Sequence, residues 1–137
     1  MAVGVVIVTH CELGNEFLRA LKLIVPDSPE LHAIAFDVED ELESMRNKIL
    51  EGIRAADQGH GVLILTDMFG GSPSNVALSF HEEHHVEVVT GMNLPMLVRL
   101  ASQKGAESLE DLATSIKDYG RRNISVASQL LPEGGSE

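Results

Sequence analysis

At 137 residues, with 44% hydrophobic content and a mean hydropathy of +0.07, the chain has the size and composition of one folded domain and not of a disordered segment. Its 10 lysines and arginines against 21 aspartates and glutamates give a net charge of −11, which argues against nucleic-acid or anionic-membrane binding, since both need a basic footprint. No apolar run reaches membrane-spanning length, no basic start precedes an apolar stretch as in a secretory signal, and the single cysteine, Cys11, forbids an intrachain disulfide, so the cytoplasm is the expected setting.

The elements alternate from the start. Val3-Gly4-Val5-Val6-Ile7-Val8-Thr9 reads as a buried strand rich in β-branched residues, with His10 where it runs out. Phe17, Leu18, Leu21, Ile24 and Val25 recur at helical spacing until Pro26-Asp27-Ser28-Pro29 breaks the helix. Leu31 to Val38 reads as a second strand with Ile34, Phe36 and Val38 on one face. Leu42, Met45, Ile49 and Ile53 form the stripe of a long helix, whose acidic start suits its dipole. After the turn Gly59-His60-Gly61 comes a third strand, Val62 to Thr66.

Asp67 to Pro73 reads as a loop, and a helix from about Pro73 turns Val76, Ala77 and Phe80 inward. Val86 to Thr90 is a fourth strand, and Gly91-Met92-Asn93 leads into a helix carrying Leu94, Leu97 and Leu100. A last helix bears Leu109, Leu112, Ile116 and Tyr119, with Ser108 as its cap and Gly120 as its end. Ile124 and Val126 alternate with polar neighbours, the pattern of a short C-terminal edge strand or of one pairing with another chain. Residues 1–131 are expected to form a single domain and residues 132–137 a frayed tail. The strand–crossover–strand rhythm predicts a doubly wound, four-stranded parallel α/β sheet of order 2-1-3-4 with helices on both faces.

In that order, strands one and three flank the topological switch point, where ligands collect. His10 and Asp67 then stand on opposite lips of one crevice. Asp67 is placed to accept the Nδ1 hydrogen of His10, fix the tautomer and leave Nε2 free as nucleophile. Gly70 and Gly71 permit positive φ and close approach, while Ser72 suits the N-cap and Pro73 the first helical position; together they form an anion cradle at the positive end of a helix. A histidine nucleophile, an orienting carboxylate and an anion cradle point to phosphoryl transfer through a phosphohistidine. Taken singly, each has a plainer reading: a surface histidine, a capping aspartate, a tight turn. Asn93 reads first as a helix cap and second as a crevice residue. His81, His84 and His85 with Glu82 and Glu83 resemble a metal cluster by composition, but a solvated polar turn fits them better. The chain has neither GxxxxGK[ST] nor GxGxxG, so nucleotide binding lacks a motif.

Thr9-His10, Asp67-Met68-Phe69-Gly70-Gly71-Ser72-Pro73 and Gly91-Met92-Asn93-Leu94-Pro95-Met96, in this order and spacing, resemble the mannose-type enzyme IIA of the bacterial phosphoenolpyruvate-dependent sugar phosphotransferase system. The resemblance runs from the first strand to about residue 130. It implies a homodimer in which the C-terminal strand is exchanged between subunits. It implies that His10 takes a phosphoryl group from the phosphocarrier HPr and passes it to a IIB protein, that Asp67 orients His10, and that Ser72 and the Gly70–Gly71 backbone steady the phosphoryl group. No metal or organic cofactor is implied. One departure is Cys11, where the family usually has glycine; a side chain there bears on loop shape and partner docking. Some relatives continue into a IIB domain, whereas a IIA unit alone is expected here. Two other readings stand beside sugar uptake. One is a regulatory module of the same family whose phosphorylation state reports to a partner protein. The other is a flavodoxin-like hydrolase using His10 as base with Cys11 nearby.

Overall fold

The computed structural model describes residues 3–102 and 107–132, and among them four apolar strands alternate with helices, a fifth α-helix following the fourth. The order is β1 (Gly4–His10), α1 (Leu13–Ile24), β2 (His32–Phe36), α2 (Leu42–Ala56), β3 (Val62–Thr66), α3 (Ser72–Leu78), β4 (Val86–Thr90), α4 (Leu94–Ser102) and α5 (Leu109–Arg122). The sheet is parallel throughout, in the expected order 2-1-3-4. Register sets Val8 against Ile34 on one side and against Thr66 on the other, so β1 and β3 end side by side and bring His10 next to Asp67.

The period-2 alternation of the strands splits the core into two layers. Ile7, Leu63, Leu65 and Val89 face α1, α4 and α5, where they meet Leu21, Leu97, Leu112 and Ile116. Val6, Val8, Ile64 and Val86 face α2 and α3, where they meet Ile49, Ile53, Ala77 and Phe80. Both faces of the central strands are sealed, which is why these strands read as unbroken apolar runs. Gly14 lets α1 sit close on β1: a Cβ there would stand 3.1 Å from Ile7 Cγ2 and 3.2 Å from Thr9 Oγ1.

Several sequence expectations need correction. The second strand stops at Phe36, so Val38 lies beyond the sheet and is 95% exposed instead of sharing a face with Phe36. Gly120 does not end α5. The helix runs on to Arg122, and Gly120 is buried where Met96 packs so closely that no Cβ would fit. Its carbonyl accepts a hydrogen bond from Asn93 Nδ2 at 3.1 Å, tying the end of α5 to the start of α4. The segment expected to form a C-terminal strand has no ladder within the single chain. Val126 has extended backbone (φ −91°, ψ 117°), and Ala127–Leu130 turns into a 3₁₀ helix. A strand needs a paired neighbour, and this segment has none in one copy of the chain. Of the expected frayed tail, residues 133–137 lie outside the described residues.

Candidate functional site

The site forms where β1 and β3 run out. Thr9 is 1% exposed, and its Oγ1 accepts the Gly14 N–H at 2.8 Å, which closes the turn between β1 and α1. The Cys11 N–H donates to the Phe36 carbonyl at 2.7 Å. These bonds hold Cys11 at φ +49°, in the left-handed region where a side chain is disfavoured. A glycine at this position would adopt the same φ without that strain. Cys11 is exposed.

His10 is anchored twice to one oxygen. Its backbone N–H donates to Asp67 Oδ2 at 3.0 Å, and its ring Nδ1 lies 2.8 Å from the same atom. An aspartate at that distance accepts a hydrogen, so the proton is assigned to Nδ1 and the lone pair to Nε2. The His10 side chain is 46% exposed, whereas that of Asp67 is 10% exposed. Burial works to raise the Asp67 carboxyl, but the His10 backbone N–H, the ring hydrogen bond and the ring charge outweigh it and hold the carboxyl below the ordinary aspartate value. Its second oxygen, Oδ1, is buried with no hydrogen-bond partner among the described residues, so its bonds to His10 run through Oδ2.

Asp67 therefore lies behind the imidazole and not on an opposite lip. The crevice in front of His10 is a depression of about 390 Å³ whose far wall is the loop between β2 and α2, including Asp37, Val38 and Asp40. Adjacent parallel strands bring their end residues into contact, which leaves no room for a gap between His10 and Asp67.

The loop after β3 approaches the ring from the other side. Gly70 adopts φ +90°, which its lack of Cβ permits. Gly71 packs close against the ring: an added Cβ would stand 2.7 Å from His10 Cε1 and 3.1 Å from Nε2. Gly71, and not Ser72, is the N-cap of α3, and its carbonyl receives the Asn75 N–H at 3.0 Å. Ser72 is the exposed first helical residue and Pro73 is buried, so Ser72 stands on the crevice rim with its N–H directed out of the helix start. The sequence reading missed Ser74. It is 3% exposed, and its hydroxyl accepts the Gly70 N–H at 3.0 Å and donates to the Gly71 carbonyl at 3.2 Å. A serine three residues after a glycine pair, at an otherwise buried position, was the available signal.

The structure thus brings His10, Asp67, Gly70, Gly71 and Ser72 to one end of the sheet. The third motif does different work. Asn93 Oδ1 caps α4 by accepting the Met96 N–H at 3.2 Å, and no residue of 91–96 lines the crevice. The histidine-rich turn stands at the opposite end of the sheet, at the start of β4. His81 Nδ1 lies 2.8 Å from the Val86 carbonyl and His85 Nε2 3.4 Å from Glu110 Oε2. Among the described residues, no three histidine, cysteine, aspartate or glutamate side chains form a group that could hold a metal. Among the same residues, no helix is long and apolar enough to cross a membrane.

A free imidazole nitrogen backed by a carboxylate and faced by a glycine-rich helix start suits the capture of a small anionic group. Comparisons with known proteins identify the family. The chain matches the model of the EIIA-man family, described as the phosphotransferase-system (PTS) fructose IIA component, over residues 4–117. It is 27% identical over 130 residues to the PTS fructose-specific EIIA component of Bacillus subtilis, covering 94% of this chain and 89% of that one. It is 29% identical over 126 residues to the PTS mannose-specific EIIAB component of Escherichia coli, spanning 90% of this chain but 39% of that protein. Among solved structures, the mannose/sorbose-specific IIA subunit of Enterococcus faecalis superposes with a TM-score of 0.84 at 24% identity, covering 92% of this chain and 95% of that one, and so shares the fold. With the match spanning most of its length, the chain belongs to the EIIA-man family of sugar phosphotransferase-system IIA components.

Proposed function

We propose that this chain is a cytoplasmic phosphocarrier, one domain over residues 1–131, that accepts a phosphoryl group from phospho-HPr on His10 Nε2 and passes it to a IIB protein during sugar uptake. The observation that carries this reading is the pairing of His10 Nδ1 with Asp67 Oδ2 at 2.8 Å, which leaves Nε2 as the available nitrogen. In the transfer, the Nε2 lone pair forms a bond to phosphorus while the donor's N–P bond breaks in line, and the donor imidazole leaves with that electron pair. The Nδ1 proton stays in place, so the phosphorylated ring becomes cationic, and the Asp67 carboxylate behind it offsets that charge. The N–H groups at the start of α3 and the Ser72 hydroxyl are placed to steady the phosphoryl oxygens. No cofactor enters the reaction.

Labelling with phosphoenolpyruvate, enzyme I and HPr tests the reading. Wild-type protein is expected to take up acid-labile phosphate and His10→Ala to take up none; undiminished labelling of the variant would sink the assignment.

We also propose that the protein is a homodimer in which the C-terminal segment crosses to the partner. Ile124, Val126, Leu130 and Leu131 are between 57% and 73% exposed. The open edge of β4 beside α5 forms a groove of about 350 Å³ along Glu87 to Thr90, suited to an added strand. A chain truncated before Asn123 is expected to run as a monomer in light scattering, and an unchanged dimer would contradict the exchange.

A further inference from the structure

The two walls of the crevice carry different kinds of residue. On one side stand His10, Cys11 and Ser72; on the other, the loop between β2 and α2 presents Asp37, Val38 and Asp40. We propose that this loop is a docking lip that selects the protein phosphoryl donor, and that Asp40 and Lys48 are its positioning residues. The proposal rests on the phosphotransfer reading above.

The loop is folded on itself and then fastened. Asp40 Oδ2 accepts the Asp37 N–H at 2.7 Å, and the Asp40 N–H donates to the Asp37 carbonyl at 3.0 Å, closing a turn over residues 37–40. From the next turn of α2, Lys48 Nζ donates to both Asp40 carboxylate oxygens, at 3.1 and 3.2 Å, and to the Ala35 carbonyl at 3.5 Å. One ammonium group therefore ties the loop to the end of β2 and to α2 together. The Asp37 N–H and the Lys48 ammonium also hold the Asp40 carboxyl below its ordinary value.

The fastened loop displays what a lone protein gains nothing by displaying. Val38 is 95% exposed and Leu42 66% exposed. Glu39, Glu41 and Glu43, their exposed neighbours in sequence, take part in no ion pair among the described residues. Lys48, the α2 cation that fastens the loop, is already engaged by Asp40. An apolar tip ringed by free carboxylates fits a partner with an apolar contact framed by lysine or arginine. On a chain of net charge −11 such a lip attracts a basic-faced phosphocarrier protein and leaves a small phosphoryl donor indifferent. An ion pair this exposed adds little to folding stability, so its effect is expected in recognition.

The test compares two donors to His10: phospho-HPr, and phosphoramidate, whose P–N bond breaks as the Nε2–P bond forms and whose ammonia leaves with a proton from solvent. Lys48→Met is expected to raise the KM for phospho-HPr about fivefold with kcat little changed, with labelling by phosphoramidate within about twofold of wild type. Lys48→Arg, which keeps the charge and the donors, is expected to recover most of the loss. Val38→Asp, at a site too exposed to disturb folding, is expected to raise the same KM. Unchanged KM values in both Lys48→Met and Val38→Asp overturn the docking lip. An equal loss with phosphoramidate shows that the pair acts on His10 itself and overturns it too. So does a Val38→Asp change in oligomeric state with KM intact, which would assign the lip to a second copy of this chain. Wild-type protein that is labelled at His10 by phosphoramidate but not by phospho-HPr overturns the phosphocarrier reading itself, and needs no variant to be recognised.

Discussion

The wall that carries His10 and the lip that faces it are held by different forces. Behind His10 stand a carboxylate 10% exposed, a threonine 1% exposed and two central strands whose middle residues are sealed from water. The lip hangs on one ammonium group, 42% exposed, and on a turn closed by a single aspartate. The phosphoryl transfer proposed for His10 needs atoms fixed to fractions of an ångström, and burial supplies that. Recognition needs surface groups that can be exchanged without loss of the fold, and an exposed ion pair supplies that. Changes on the His10 side are therefore expected to affect every donor alike, and changes on the lip to affect protein donors only.

Apart from loss of His10 itself, the largest effect on the His10 side is expected from Gly71→Ala. The new Cβ would stand 2.7 Å from His10 Cε1, so ring or loop must shift, and transfer is expected to fall about 100-fold with phospho-HPr and with phosphoramidate alike. Rapid-quench labelling measures both; a loss confined to phospho-HPr would erase the contrast between wall and lip.

A smaller effect is expected from Asp67→Asn, which keeps the shape but removes the charge: transfer slowed about tenfold, with the fold retained. Wild-type kinetics in that variant would count against its role. The same variant sharpens the pH behaviour. Because the folded Asp67 carboxyl lies below its ordinary value of 3.8, the unfolded chain binds the proton first, and stability is lost as pH falls from 3.8 through the folded value. Denaturant titrations in that window are expected to show a steeper acid loss in wild type than in Asp67→Asn, and parallel curves would refute the coupling.

The smallest effect concerns the turn between the two. Cys11→Gly relieves a φ of +49° and is expected to raise stability by up to about 1 kcal/mol, read from the denaturant midpoint. A loss of stability would mean that the cysteine side chain makes a contact that outweighs the backbone strain.

The strands were legible because parallel strands buried on both faces leave unbroken apolar runs, and His10 and Asp67 were legible because those runs end at them. What was not legible depends on distances between elements. Val38 continues the alternation of β2 in sequence, but β2 ends at Phe36, and only the fold shows Val38 projecting into water. Gly120 has the position of a helix stop, yet it is needed for the close approach of Met96. Ser74 and the Asp40–Lys48 pair carry no motif, because their partners are backbone groups and a side chain one helix turn or more away. The alternation at Ile124 and Val126 suggests a C-terminal strand, but in the single chain this segment has no ladder and Ala127–Leu130 forms a 3₁₀ helix.

The central claim is that Asp67 commits His10 to receive the phosphoryl group on Nε2. Nitrogen–phosphorus correlation by NMR on ¹⁵N-histidine-labelled, HPr-phosphorylated protein tests it directly. The expected result is one phosphohistidine at His10, with phosphorus coupled to Nε2 and the proton retained on Nδ1. Phosphorus on Nδ1, or on any other residue, would contradict the account.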